Sequence, residues 1–264
     1  MNKYNNLSIC SYNLLWDLMD YNNTIKFNNI DKKLLITYKN NTLHNIQKVI
    51  DYYNPTIYCF QETSNYQDIL KLFNHKYSYK RNISDKENML TIWRNNKLDL
   101  IHNFEGEFEK GRPFNIIIFF NKIDNYKFIL INIHAGHNSD TIISIINPIQ
   151  NVINTIDNKL LIDIKRIIIT GDFNRDINNE IKINKKNNNS YYLIINNKKI
   201  TFKYNKNNNN TCCNIYGNNI NKNYDNIIDS HKKLKLIHLF NKESWYKYPS
   251  SDHVMVMGII KTPL

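Results

Sequence analysis

Six segments that read as strands begin or end in groups able to move protons or hold cations. Ser11-Tyr12-Asn13 closes the first, Gln61-Glu62 the second and Asn132-Ile133-His134 another. Gly171-Asp172-Phe173-Asn174 follows an isoleucine run, Asp225 sits in a later strand, and Ser251-Asp252-His253 opens the last. Each alone has an ordinary explanation, since an Asp-Phe-Asn turn is a common way for a chain to leave a sheet. Six together, each where a strand meets a loop, point to one shared site. Carboxylates and amides without paired cysteines or clustered histidines suit a hard cation such as Mg²⁺ (or Mn²⁺), not a structural zinc. Two histidines far apart in sequence, with acidic partners available, suit proton transfer and stabilisation of charge building on phosphorus. Hydrolysis of a phosphate ester needs this set: a metal, a water activator and donors aimed at the non-bridging oxygens.

Strands must carry these groups, and period-2 or continuous apolar runs supply them. The expected strands are Leu7–Asn13, Thr56–Gln61, Met89–Arg94, Phe114–Asn121, Lys127–His134, Arg166–Asp172, Tyr224–Asp229 and His253–Ile260. Leu43, Ile46, Val49, Ile50 and Tyr53 share a helical face that Pro55 ends. Further helices are expected over Ser64–Phe73 and Thr141–Ile156, with Pro148 as a kink. The Asn/Lys-rich stretch 184–210 reads as a hairpin insertion, pairing Tyr191–Ile195 with Lys199–Tyr204. No repeat or internal boundary appears, so residues 1–264 are expected to form one α+β domain.

Composition narrows the classes. Six glycines and five prolines in 264 residues exclude collagen-like and linker-rich chains, and 42% hydrophobic residues can fill a core. No apolar run approaches the ~18 residues of a membrane span. The N-terminus lacks the apolar stretch of a secretory signal, so an intracellular location, cytoplasmic or nuclear, is expected. Four cysteines are too few for a disulfide scaffold. The adjacent Cys212 and Cys213 are expected to stay reduced, as packing thiols. The net charge of +12 invites a nucleic-acid reading. About one residue in five is Asn, Ile and Lys are comparably frequent, and Ala135 is the only alanine. All of that fits an A/T-rich genome, which inflates lysine without selection for DNA binding. Glycines and arginines that survive such a bias, among them Arg94, Gly111, Arg112 and Gly171, then stand out.

The motif order S-x-N, Q-E, N-x-H, G-D-x-N, Y-D-x-I and S-D-H resembles the endonuclease/exonuclease/phosphatase superfamily. That group holds deoxyribonuclease I, exonuclease III-type AP endonucleases, inositol polyphosphate 5-phosphatases and neutral sphingomyelinases. The resemblance spans nearly the whole chain. It implies a four-layer sandwich, two mixed sheets packed face to face with helices outside. It also implies Glu62 as main metal carboxylate, Asn13 as an amide at that metal and Asp252 as a further ligand. Asp172, helped by Asn174, would position or deprotonate the attacking water. His253 would contact the scissile phosphate with Asp225 orienting it, and His134 would be a second phosphate donor or leaving-group acid. Asn132 and Arg175 join Arg94 and Arg112 as expected substrate contacts, although a surface ion pair explains the last two as well. His137 falls at the rim, and Trp16 is core or a stacking wall. The tryptophan-arginine pair of AP endonucleases and the tryptophan-cysteine-aspartate-arginine run of inositol phosphatases are both missing before Asp225.

The leading expectation is a Mg²⁺-dependent phosphodiesterase acting as a monomer on nucleic acid, in degradation or DNA repair. The alternative is a hydrolase of a small phosphorylated substrate, an inositol-phosphate phosphatase or sphingomyelinase-type enzyme. A non-catalytic binding protein of the same fold is a third, disfavoured because every expected catalytic position is filled.

Overall fold

The computed structural model describes residues 7–20, 31–84, 87–109, 111–137, 141–177, 180, 191–202, 211–212, 222–231, 234–239 and 250–260. Two sheets carry the molecule. The first has the order β12-β13-β1-β2-β4-β3 and is built from Leu234–His238, Val256–Ile260, Leu7–Asn13, Ile57–Gln61, Asn88–Arg94 and Tyr77–Ile83. The second, β11-β8-β7-β6-β5, uses Asp225–Asp229, Ile164–Asp172, Tyr126–His134, Pro113–Asn121 and Leu98–Glu107. β1 and β2 run parallel, as do β7 and β8, while the remaining neighbours are antiparallel.

Side-chain alternation explains the layering. Ile9, Ile57, Cys59, Ile117, Phe119, Phe128, Leu130 and Ile168 meet between the sheets. The opposite face of the first sheet, with Tyr12, Tyr58, Phe60 and Ile92, packs on Ile46 and Val49 of helix α2 (Lys32–Tyr52). The opposite face of the second, with Ile116, Ile131 and Ile169, packs on Ile145, Ile149 and Ile153 of α4 (Ile143–Thr155). The four-layer sandwich is therefore the observed architecture. Among the described residues, no helix is long and apolar enough to cross a membrane.

Boundaries differ where local chemistry intervenes. α2 begins eleven residues before the expected apolar face, because the Asp31 side chain caps it by accepting from Lys33 N. Leu35, Tyr38 and Thr42 then continue its buried stripe. The second helix shrinks to Tyr66–Leu70, with the four-residue turns Trp16–Met19 and Asn158–Leu161 completing the helices. Tyr192–Ile195 and Lys198–Thr201 form a hairpin around Asn196 and Asn197, both at positive φ as a tight two-residue turn demands. Residues 184–190 and 203–210 of that expected insertion lie outside the described residues. The last strand starts at Val256, not His253, whose backbone instead forms an isolated bridge with Cys212.

His238, at the end of β12, is buried with no hydrogen-bond partner for either ring nitrogen among the described residues. Burial pushes its pKa down from 6.5 to about 4. The fold thus keeps neutral an imidazole that the unfolded chain would protonate near 6.5. Its contribution to stability is full above that pH and is lost as pH falls toward 4, with about 2 kcal/mol gone by pH 5. His238→Leu should accordingly lose less melting temperature than the wild type between pH 7 and pH 5. Equal losses in the two proteins would contradict this.

Candidate active site

The row of side chains facing between the sheets changes character along every central strand. Ile9 gives way to Ser11 and Asn13, Ile57 and Cys59 to Gln61, Leu130 to Asn132 and His134, and Ile168 to Thr170 and Asp172. Register brings these polar tips together, because Asn13 pairs with Gln61, His134 with Asp172, and Asp172 with Asp225. One end of the inter-sheet core is therefore polar. Gly171 permits the close approach there, since a Cβ would fall 2.0 Å from Ile133 O and φ is +136°. Leu15, Glu62 and Asn174, just past three of these strands, all adopt positive φ. For a leucine or glutamate that costs of order 1 kcal/mol, strain of the kind that accumulates where loops are held for function.

Glu62 and Asp172 lie at the centre. Asn13 Nδ2 donates to Glu62 Oε1 at 2.9 Å and to Asp172 Oδ2 at 3.0 Å, while Trp16 N donates to Glu62 Oε2 at 2.5 Å. Burial alone would raise Glu62, but His134, Trp16 N, Asn13 and His253 outweigh it and hold the carboxyl at about 2. Asp172 Oδ2 stands 3.6 Å from both His134 Nε2 and His253 Nε2. Each imidazole is oriented from behind by a carboxylate: Glu87 Oε2 lies 2.6 Å from His134 Nδ1, and Asp225 Oδ2 lies 2.8 Å from His253 Nδ1. For His253, burial would lower the pKa, yet Asp225, Asp252 and Asp172 together hold it well above the usual range. Asp225 is pushed up to about 6, chiefly by burial, so this pair shares a proton that resides on the ring. His134 is likewise raised, with Glu87, Glu62 and Asp172 overcoming burial. Arg112 Nη1 competes with a proton there, reaching 2.7 Å from both His134 Nε2 and Glu87 Oε1. A neutral ring accepts that bond, and a protonated ring needs Arg112 to move aside.

The supporting residues are equally specific. Asn174 N donates to Asp172 Oδ1 at 2.7 Å, and its side chain donates to Ala135 O at 2.6 Å. Ser251 Oγ donates to Asn13 O and accepts from His253 N. His137 lies near enough to the cluster for burial and Arg112 to lower its pKa. Trp16 is half-buried.

Four of the expected residues have surroundings that the sequence did not suggest. Asn13 turns its amide nitrogen to the two carboxylates, and its oxygen accepts from Leu15 N at 3.0 Å. Asn132 is fully buried one pleat deeper, accepting from Gln61 at 2.7 Å and donating to Thr91 at 3.2 Å. Arg94 ends β4, which runs antiparallel to β2, so it stands roughly 20 Å along the strand from the polar end. Cys212 is disulfide-bonded while Cys10 and Cys59 are free, so Cys212 is not the reduced thiol expected. Cys213 lies outside the described residues. Of the others, Arg112 joins the cluster, Arg175 is buried against Glu180, and Asp252 Oδ1 sits 3.7 Å from His253 Nε2.

Glu87 stands just before β4 in a polar stretch of sequence, where no motif separates it from its neighbours. The pocket unites Glu62, Glu87, Asp172, Asp225 and Asp252 with Arg112 and two imidazoles, leaving it negative even with both rings protonated. A hard divalent cation fits this oxygen-rich, negative pocket.

No family model matches the sequence, and no curated protein matches it. Solved structures do. An endonuclease/exonuclease/phosphatase family protein from Bacteroides thetaiotaomicron is 18% identical, covers 99% of this chain and 100% of its own, and superposes with a TM-score of 0.66. A mannosyl-6-phosphatase from the same organism gives 0.64 at 16% identity, over 96% of this chain and 99% of its own. ANGEL2, a 2′,3′-cyclic phosphatase, gives 0.64 at 14% identity, over 97% of this chain and 96% of its own. The fold is that of the endonuclease/exonuclease/phosphatase proteins.

Proposed function

We propose that this chain is a divalent-metal-dependent hydrolase of phosphate esters. The observation that carries the reading is the pair of carboxylate-oriented imidazoles converging on Asp172 beside Glu62. Glu62, with Asp252, would hold Mg²⁺ or Mn²⁺, which when bound neutralises phosphate charge and polarises the phosphoryl group. Asp172 Oδ2 takes the proton of the attacking water as the new bond to phosphorus forms. His253 Nε2–H donates to a non-bridging oxygen, held in aim by Asp225. His134 delivers a proton to the departing oxygen once the phosphate has drawn Arg112 from its ring. Asn13 keeps the two carboxylates apart and correctly turned.

For substrate class, charge placement is the guide. Lys76, Lys97, Lys122, Lys127, Lys165 and Lys235 sit at the strand starts and turns of the opposite end of the sandwich. Among the described residues, Arg112 is the cation seen hydrogen-bonded to the cluster. That favours a small phosphorylated molecule over a long polyanion, which needs a basic track leading to the centre. Two similar structures, named a mannosyl-6-phosphatase and a 2′,3′-cyclic phosphatase, support this reading. The net charge of +12 supports the second reading, a nuclease or DNA-repair phosphodiesterase. A panel of sugar phosphates, inositol phosphates, nucleoside 2′,3′-cyclic phosphates, RNA, single-stranded DNA, abasic DNA and 5′-tyrosyl DNA in Mg²⁺ tests both. Small esters should turn over fastest, with little dependence on salt. Preferred cleavage of nucleic acid, weakening steeply as salt rises, would overturn that choice.

A further inference from the structure

Two consecutive serines grip two consecutive residues of β1. Ser250 Oγ lies 3.3 Å from the Tyr12 hydroxyl and accepts from Asn45 Nδ2 at 3.2 Å. Ser251 Oγ donates to Asn13 O at 2.7 Å and accepts from His253 N at 3.2 Å. Tyr12, Asn45, Ser250 and Ser251 are all fully buried. Tyr12 packs in the layer between the first sheet and α2, with Ile46 and Val49, whereas the Asn13 side chain points between the sheets. Asn45 puts an amide into the buried stripe of α2, next to Ile46, and a buried amide costs stability unless it is hydrogen-bonded. Here the bond it makes runs to the loop that carries Asp252 and His253.

We propose that Asn45 is a positioning residue of this centre, which through Ser250 fixes the backbone that aims His253 at the phosphate. The proposal rests on the hydrolase reading, since it concerns the geometry of the same site. His253 is held from two directions. Asp225, on the second sheet, fixes the ring with Oδ2 at 2.8 Å from Nδ1, and Thr211 O fixes the backbone just after it by accepting from Val254 N at 2.6 Å. Ser250 and Ser251 hold the backbone just before it against the first sheet. His253 Nε2 and Asn13 Nδ2 then approach the same oxygen, Asp172 Oδ2, to 3.6 Å and 3.0 Å. Their relative placement depends on how residues 250–253 seat on β1, and Asn45 ties that seat to the helix layer.

Without the Asn45 amide, Ser250 keeps Tyr12 as a partner, so the chain still folds, but the loop loses its tie to α2 and gains freedom to shift along β1. A misplacement of about 1 Å at a reacting group costs about 10²-fold, and a smaller shift costs less. The loss falls on kcat, because His253 acts on charge that grows in the transition state, and KM stays nearly constant. Removing either end of the Asn45–Ser250 bond breaks the same path, so the two losses do not add.

The test compares the full chain with Asn45→Leu, Ser250→Ala, the double variant and Ile46→Val. Leucine nearly keeps the volume of asparagine and removes the donor, and alanine removes the acceptor. Ile46→Val loosens the same helix–sheet packing without removing a hydrogen bond, and serves as the stability control. Three quantities are read for each protein in Mg²⁺: the melting temperature, the histidine ring ¹H–¹³C signals, and kcat and KM for bis(4-nitrophenyl) phosphate. The His253 signal is the one missing from His253→Gln. Asn45→Leu and Ser250→Ala should each move the His253 signal and lower kcat by about tenfold, with KM nearly constant. The double variant should be no slower than the slower single one, and Ile46→Val should leave signal and kcat in place. An unmoved His253 signal in folded Asn45→Leu and Ser250→Ala would overturn the proposal. So would equal changes in Ile46→Val, which would make the effect one of stability alone, or losses that add in the double variant. If Asn45→Leu fails to fold, Ser250→Ala and its effect on the His253 signal decide the matter by themselves. A signal that moves in variants of a wild type that hydrolyses nothing would remove the hydrolase reading and leave the positioning of His253. Normal hydrolysis in both single variants would remove the positioning role and leave the hydrolase.

Discussion

Asp172→Asn is expected to lower kcat on the best substrate by about 10²–10⁴-fold, the range for a group that takes a proton in the transition state. The asparagine keeps the shape and can still accept from Asn174 N, so folding should be nearly unchanged. What it loses is basicity at the oxygen that Asn13 and both imidazoles surround. Single-turnover rates, which isolate chemistry from product release, are the appropriate measurement. Near-normal turnover in a folded Asp172→Asn protein would remove Asp172 from the chemical step.

His253→Ala should cost a comparable factor, about 10²–10⁴-fold, because it removes a donor aimed at charge that grows in the transition state. Asp225→Asn should act through the same ring. Asp225 reaches the centre by way of His253 Nδ1, at 2.8 Å, and its carboxylate keeps the proton on that imidazole. The double variant should therefore be little worse than His253→Ala alone. Losses that add would mean that Asp225 has a role of its own. The same cycle on Glu87 and His134 probes the second pair, whose ring also faces Asp172 from 3.6 Å.

Most of the centre was legible in the sequence because strand ends are visible there. Central strands are buried on both faces, so their isoleucine runs are long, and the first polar residue after each run marks where the sheet opens. Asn13, Glu62, His134 and Asp172 surfaced this way, Asp225 and His253 at the starts of their expected strands, and all six converge in space. The strands that escaped are β3, β5 and β12, each at a sheet edge. An edge strand is half-exposed, as in the mixed burial of Tyr77–Ile83, and its apolar period is too weak to read. Direction also escaped. Arg94 follows a strand just as Glu62 does, yet β4 runs against β2, and only the pairing register reveals that it points the other way. Depth was lost for the same reason. Asn132 shares a face with His134, but one pleat separates a residue in the cluster around Asp172 from one that ties the sheets together. Thr211 accepts from Tyr224 N, Asp225 N and Val254 N across 13 to 43 residues, which local pattern cannot encode.

The initial rate of phosphoester hydrolysis, measured with Mg²⁺ and again with excess chelator, in wild type and Glu62→Gln, tests the central claim most directly. Glu62 is held ionised at about 2 and is the carboxylate around which the metal reading turns. The account predicts a wild-type rate that vanishes in chelator and returns with added Mg²⁺ or Mn²⁺. In folded Glu62→Gln, activity should be absent or should require far more metal. A full wild-type rate in excess chelator, or an unchanged metal requirement in Glu62→Gln, would contradict it.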